Sequence, residues 1–370
     1  MTISTEEFGI VQEVFADPAL QMEFPGCPGD LEVLKDSRRA LVVNYQGITV
    51  KIERDPEKHR GLIEEGRSLA FINALLTQFP DPVIRFPLLV THGYSVAESH
   101  RSYVASRTVQ PTKNLLSYWV PLRQSEDDEG ETQVARAVVD AWPVFRELLW
   151  NIGNIEVLQP VKVSGAATID VGQWYTNRLK AFGLRNLLKS PRMLGGLTAA
   201  SRLFRAWRFF RQHRESFKQD YAYRLIASVE PDHLIPVPEL SKVEYFYFAG
   251  RLGNWQVTPT YAYSLTQLLH RFVTKFAISR HLGSEGENFV YNWLDEVWKI
   301  LQDLHGLDEI AAFDHVMLAL LERYIGGYYF DWFTHQLRLK EKGKGIGDLT
   351  EKEDHERYYK LICGWHNHHR

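Results

Sequence analysis

Three groups of residues in this 370-residue chain have side chains and spacings that could do chemistry. The first is Ile226-Ala227-Ser228-Val229-Glu230-Pro231-Asp232-His233-Leu234-Ile235, followed by Val243-Glu244-Tyr245-Phe246-Tyr247-Phe248. A hydroxyl, two carboxylates and an imidazole gather there around a proline. Glu230 or Asp232 could act as a general base, a role worth about 10²–10⁴-fold when the group is positioned on its proton. The second group is Lys51, between Val50 and Ile52, and Glu65 in Glu-Gly-Arg-Ser-Leu-Ala-Phe-Ile. A strand lysine that neutralises phosphates, oriented by a helix glutamate, belongs to phosphoryl transfer. Glu64 could fill the same role, and a surface lysine beside a solvated acid would look alike. The third group places Arg202, Arg205, Arg208, Arg211 and Arg214 at every third position, bordered by Phe204, Trp207, Phe209 and Phe210. Lys180, Arg185, Lys189 and Arg192 precede it, and Glu215 is the only acid between 171 and 219. A basic amphipathic helix of this kind binds anionic membranes, nucleic acid or an acidic partner. The plain alternative is a structural helix whose arginines pair with acids such as Asp295, Glu296 or Asp303.

The elements that must carry these residues are legible from periodicity. Phe8, Val11, Val14 and Phe15 give a short helical pattern closed by Pro18, and Gly26, Pro28 and Gly29 break the chain. Ala40–Tyr45 and Ile48–Ile52 flank Gln46-Gly47 and read as a hairpin. A helix is predicted over 61–79, with Leu62, Leu69, Ile72, Leu75 and Leu76 apolar, and strands near 88–92 and 103–107. The acid run at 124–131 reads as a solvated loop. Helical spacing then dominates at 140–149, 174–182 and 197–217, and again at 261–276, 287–304 and 310–339. Only 226–248 interrupts it, with two strand-like runs around Pro236 and Pro238. Gly343, Gly345 and Gly347 among lysines suggest a flexible tether before a last short helix. Trp365-His366-Asn367-His368-His369-Arg370 reads as a polar tail, and Gly326–Phe333 as aromatic core or interface packing.

Composition bounds the rest. A hydrophobic content of 45% is ample for a packed core, and a net charge of −3 gives no global attraction to nucleic acid or membrane. Cys27 and Cys363 match no metal spacing, which fits a reducing compartment. Acids stand where a signal peptide needs basic residues, and no apolar run reaches the roughly 18 residues of a membrane span. The expectation is a cytoplasmic protein without a transmembrane segment and without sequence-specific nucleic-acid binding.

The segment around Pro231 resembles the aminoglycoside phosphotransferase and choline kinase-like family, where it usually reads His-Gly-Asp-x-x-Pro-x-Asn-Ile-Leu. In that alignment Ser228 stands at the base Asp, His233 at the metal-binding Asn and Tyr247 at the metal-binding Asp of the next strand. Ser264, in Tyr261-Ala262-Tyr263-Ser264-Leu265, replaces the Asp of a Tyr-Asp-Leu run. The resemblance covers about 40–120 and 220–275. It implies an α+β, two-lobed protein-kinase-like fold: a small antiparallel N-lobe sheet plus helix, and a large, mainly helical C-lobe. The corresponding division is an N-terminal extension (1–35), N-lobe (36–110), C-lobe (111–340) and tether with C-terminal helix or tail (341–370).

What the resemblance implies about activity is set by the missing acids. Magnesium wants hard oxygen donors. A neutral phenol is a poor ligand for it, and histidine suits softer metals. Asp36-Ser37-Arg38-Arg39 offers none of the bare glycine backbone that a phosphate cradle uses. Residues 103–110 resemble the last N-lobe strand and hinge, which hold adenine through backbone groups and so permit any side chain. The expectation is a pseudokinase acting as a binding, scaffolding or regulatory protein, with no catalytic residue intact. No cofactor or metal is expected; if nucleotide binds at all, Lys51 and Glu65 would meet it, as ATP without magnesium. A protein partner or anionic ligand is expected at the arginine-rich helix. Two alternatives stand beside this: an active phosphotransferase with Glu230 or Asp232 as replacement base, and an unrelated helical interaction protein. A five-stranded N-lobe sheet packed on one helix would exclude the last.

Overall fold

The computed structural model describes all residues except 1–3, 25–30, 37–39, 56–59, 97–99, 108–112, 159–170, 214–225, 227–228, 251, 253–261, 343–348 and 370. The chain opens with α1 (Thr5–Phe15) and α2 (Pro18–Glu23). Ser4 and Glu7 cap α1 reciprocally: the Glu7 N–H donates to Ser4 Oγ at 3.2 Å, and the Ser4 N–H donates to the Glu7 carboxylate at 2.8 Å. Then come β1 (Glu32–Asp36), β2 (Ala40–Tyr45), β3 (Ile48–Glu53), α3 (Arg60–Leu76), β4 (Ile84–Arg85), β5 (Leu89–Tyr94) and β6 (Ser102–Arg107). All but β4 form one antiparallel sheet in the order β1-β2-β3-β6-β5. Gln46 and Gly47 both have positive φ, the backbone that a two-residue hairpin turn demands. The strand β1 was absent from the sequence reading, where Gly26–Gly29 hid its short alternation.

The register of β2, β3 and β6 assigns each residue to a face. Leu41, Val43, Val50, Ile52, Tyr103 and Ala105 point to one side, where Ile10, Val11, Val14 and Phe15 of α1 and Leu20 of α2 cover them. Lys51, opposite Val42 and Val104, points to the other side, against α3. Residues expected as an extension are therefore the outer layer of the lobe. Arg54–Glu7 at 2.5 Å and a Ser95–Glu13 hydrogen bond of 2.7 Å tie that layer to the sheet.

The second lobe is built of α4 (Leu116–Ser125), α5 (Asp128–Asp140), α6 (Trp142–Leu158), α7 (Val171–Arg178), α8 (Arg185–Lys189) and α9 (Gly196–Gln212). A 3₁₀ turn at Pro231–His233 precedes β7 (Leu234–Val237), and another at Leu240–Lys242 precedes β8 (Tyr245–Phe248). The remainder is α10 (Tyr263–Thr274), α11 (Ile278–Leu282), α12 (Ser284–Asp303), α13 (Glu309–Tyr324), α14 (Phe333–Glu341) and α15 (Leu349–His368). The strands β4, β8 and β7 pair as a small mixed sheet in that order. The core is aromatic: Phe145 of α6, Phe272 of α10 and Trp293 of α12 meet at centroid distances of 5.1 to 5.7 Å. The helix α10 is buried nearly all round, packed by α12, α13 and α15.

Two expectations need correction here. The acid run is not simply a solvated loop. Asp127 caps α5 by accepting the Gly130 N–H at 2.9 Å, and acids in a first helical turn suit the helix dipole. Glu131 is buried, with His281 at 3.1 Å and Arg280 and Arg123 within 3.7 Å. The described part of the C-terminal hexapeptide, Trp365–His369, is no polar tail either. It ends a 20-residue helix, and Trp365 is fully buried, stacked on Phe313 at 5.0 Å. The stretch at 326–333 is largely core. Its π-helical turn (Ile325–Trp332) buries Tyr328, Tyr329 and Trp332. Gly327 is required there, since a Cβ would lie 2.5 Å from the His270 ring. Among the described residues no helix is long and apolar enough to cross a membrane.

Candidate functional site

The strand β3 and the helix α3 bring Lys51 and Glu65 together, with Nζ 2.5 Å from Oε1. Glu65 is buried and Lys51 half-buried, so the lysine keeps access to the space beneath the sheet. Glu64, the alternative partner, turns instead toward Arg67 at 3.4 Å. A partly exposed pair is worth little. Lys51→Ala should therefore cost no more than about 1 kcal/mol in urea denaturation. A loss of several times that would mark the pair as a buried strut.

Below the sheet, the loop before β7 carries the other predicted residues. Ser228 lies outside the described residues. Pro231 begins the 3₁₀ turn, and the His233 N–H donates to the Glu230 carbonyl at 2.9 Å. His233 is half-buried, edge-on to Phe248 at 5.7 Å, with Nε2 3.9 Å from an Asp232 carboxylate oxygen. On β8 burial alternates, since side chains alternate across a strand. Phe246 and Phe248 enter the core, whereas Tyr245 and Tyr247 are half-exposed and meet edge to face at 5.7 Å. Tyr247, which aligns with the metal-binding Asp, thus lies on the half-exposed side of the strand and outside the core. Glu244 is exposed. Ser264 is buried and donates a short hydrogen bond to Glu156.

Glu230 is where sequence and structure diverge most. Its carboxylate accepts from Gln267 Nε2 at 2.5 Å and from Arg271 Nε at 2.6 Å, both on α10. Arg323 of α13 lies 3.9 Å away and Asp331 is 3.7 Å from Arg271. Glu322 continues the chain of charges, at 3.0 Å from Arg323 and 3.4 Å from Arg178. Burial alone would raise the Glu230 carboxyl, but the guanidinium of Arg271, its hydrogen bond, and Arg323 hold it below the ordinary carboxylate range. A base needs a pKa near the working pH and freedom to reach a proton. Glu230 has neither. The sequence did carry a signal for this network: Gln267 and Arg271 lie four apart, hence on one helical face. It went unread because nothing in the chain links that face to residue 230.

The family resemblance implies magnesium, and the donors can be tested for fit. His233 offers a nitrogen and Tyr247 a neutral phenol, while Mg²⁺ takes oxygen, mostly carboxylate, in octahedral array. They do not fit, and among the described residues no three His, Cys, Asp or Glu side chains converge as a metal-binding group.

The arginine-rich helix divides into two kinds of residue. Arg202 is largely internal: it donates to the Tyr324 hydroxyl at 3.2 Å, lies 3.7 Å from Glu356 and covers the Tyr359 ring. This corrects its assignment to a partner-binding stripe. Arg205, Arg208 and Arg211 are exposed and form no ion pair among the described residues. Asp295 instead takes Trp365 and His369, and Glu296 takes Arg146 and Trp150. Arg214 lies outside the described residues.

No family model matches the chain, and no curated protein matches it in sequence. Among solved structures it is similar to the GDP complex of aminoglycoside 2'-phosphotransferase-IIIa, at 12% identity over 95% of this chain and 98% of that one, with a TM-score of 0.41. It is similar to aminoglycoside phosphotransferase APH(3'')-Id from Streptomyces rimosus, at 14% identity over 87% and 99%, TM-score 0.43. The choline kinase of Streptococcus pneumoniae aligns at 11% identity over 90% and 93%, TM-score 0.37. Independently of these, the chain's own topology is decisive. An antiparallel five-stranded lobe, a strand lysine paired with a helix glutamate, and a helical second lobe make a kinase-like two-lobed α+β fold.

Proposed function

We propose that the protein is a pseudokinase: a kinase-like fold that works in the cytoplasm by binding, not by transferring phosphate. The observation that carries this reading is the capture of Glu230 by Gln267, Arg271 and Arg323, which turns the best-placed replacement base into a structural strut. His233 and Tyr247 supply no ligand set for magnesium. The five-stranded sheet packed on α3 disposes of the unrelated helical protein. Asp232 is exposed and keeps the phosphotransferase alternative testable. Thermal unfolding with ATP, with and without magnesium, separates the two. The expected result is no magnesium-dependent shift, and at most a small metal-independent one through Lys51. A magnesium-dependent rise of several degrees, with ATP turnover lost in Asp232→Asn, would establish the enzyme instead.

A further inference from the structure

The exposed side of α9 has a composition that the fold does not explain. Leu197 is 91% exposed, Phe204 59% and Trp207 41%, and Leu188 on the neighbouring α8 is 72% exposed. Large apolar side chains scattered singly over a surface need no explanation, but these stand on two helices in contact, in a segment that also carries exposed cations. Arg205, Arg208 and Arg211 lie on the same exposed arc of α9, opposite the buried Ala199, Leu203, Ala206 and Phe210. Lys180, Arg185, Lys189 and Arg192 are exposed on the segment before it. From residue 171 to 213 the chain has no Asp or Glu. None of these seven cations forms an ion pair among the described residues, in a chain whose net charge is −3.

We infer that this face of α8 and α9 docks onto an anionic membrane surface, with the arginines and lysines at the headgroups and Leu188, Leu197, Phe204 and Trp207 entering the acyl boundary. Charge identifies the partner as anionic; the apolar residues decide its class. A nucleic acid would use Phe204 and Trp207 as stacking platforms, but Leu188 and Leu197, the two most exposed, have no ring to stack on a base. A lipid interface uses aliphatic and aromatic side chains together, with tryptophan at headgroup depth and basic residues beside it. Each cation held near an anionic leaflet contributes about 1 kcal/mol, so a group of this size suffices for reversible attachment without a spanning segment. The opposite face of α9 is buried against its own lobe, so the whole protein is carried to the surface and α9 does not leave it. This goes beyond the pseudokinase reading and holds whether or not the cleft turns over ATP.

The test is co-sedimentation of the full chain with vesicles of phosphatidylcholine alone or mixed with phosphatidylserine, at low and physiological salt. Binding is expected only to the serine-containing vesicles and should weaken steeply with salt, because exposed charges are screened over roughly 8–10 Å. Arg205→Glu/Arg208→Glu/Arg211→Glu should lower the partition coefficient about a hundredfold or more. Leu197→Ala/Phe204→Ala/Trp207→Ala should lower it about tenfold or more with the charge unchanged. Circular dichroism should show both variants folded, as exposed substitutions usually are. No binding to anionic vesicles at low salt would overturn the inference. So would equal binding to heparin that is indifferent to the apolar triple substitution, which would make the face a general polyanion site.

Discussion

Replacing Glu230 by Gln should destabilise the protein by about 1.5–3 kcal/mol, the range for hydrogen bonds to a charged group. Among the described residues Arg271 would keep Asp331 as its acidic partner, at 3.7 Å, with its side chain still about 21% exposed. Gln can still accept from Gln267, so the loss isolates charge from shape. Equilibrium urea unfolding measures it, and the double variant Glu230→Gln/Arg271→Met should recover much of the loss. The pH dependence has a definite sign. A carboxyl whose pKa is lower in the folded state stabilises it above the unfolded value, and that stability is lost as pH falls through the folded value. The gap between wild type and Glu230→Gln should therefore be full at neutral pH and close in acid, below about pH 4. A loss under 1 kcal/mol at pH 7 would show that Glu230 is free, and would reopen its use as a base.

The second large effect is expected at Trp365→Ala, at about 3–5 kcal/mol, the cost of emptying an aromatic site in a core. The indole stacks on Phe313 and donates to Asp295 at 2.7 Å, so the substitution leaves a cavity and removes one contact of Asp295, which keeps His369 at 3.0 Å. Trp365→Phe should retain part of the packing and lose less. Thermal unfolding ranks the three proteins. Near-equal stability of Trp365→Ala would mean that α15 is not part of the cooperative unit.

How much of this could be read from the residues follows from how local each signal was. The hairpin β2–β3, the helix α3 and the long helices α10, α12 and α13 were legible because periodicity is a property of the segment itself. The pairing of Lys51 with Glu65 was suggested by the family resemblance and is placed by the register of β3 against β6. The strand β1 was missed because five residues beside a glycine-rich break carry little pattern. Trp365 was misread for a different reason: six residues with four cations or imidazoles look polar when the other face of the helix is not counted. The Glu230 network needed three elements brought together in space, which spacing along one chain does not reveal. On α9 the stripe of arginines was visible, but which of them turned inward depended on Tyr324 and Glu356, more than a hundred residues on.

The order in which the two lobes obtain their last layer differs along the chain. The outer helices of the sheet lobe, α1 and α2, precede every strand they cover, so that lobe has all its parts by Arg107. The helical lobe obtains α15 last, and until then α10 and α13 lack the cover of Tyr358, Leu361, Ile362 and Trp365. At about 5–20 residues per second, a ribosome leaves the finished sheet lobe waiting tens of seconds beside a helical lobe that cannot yet close. During synthesis the vulnerable surface is therefore that of the helical lobe. A chain stalled before α15 would be the species most in need of a chaperone.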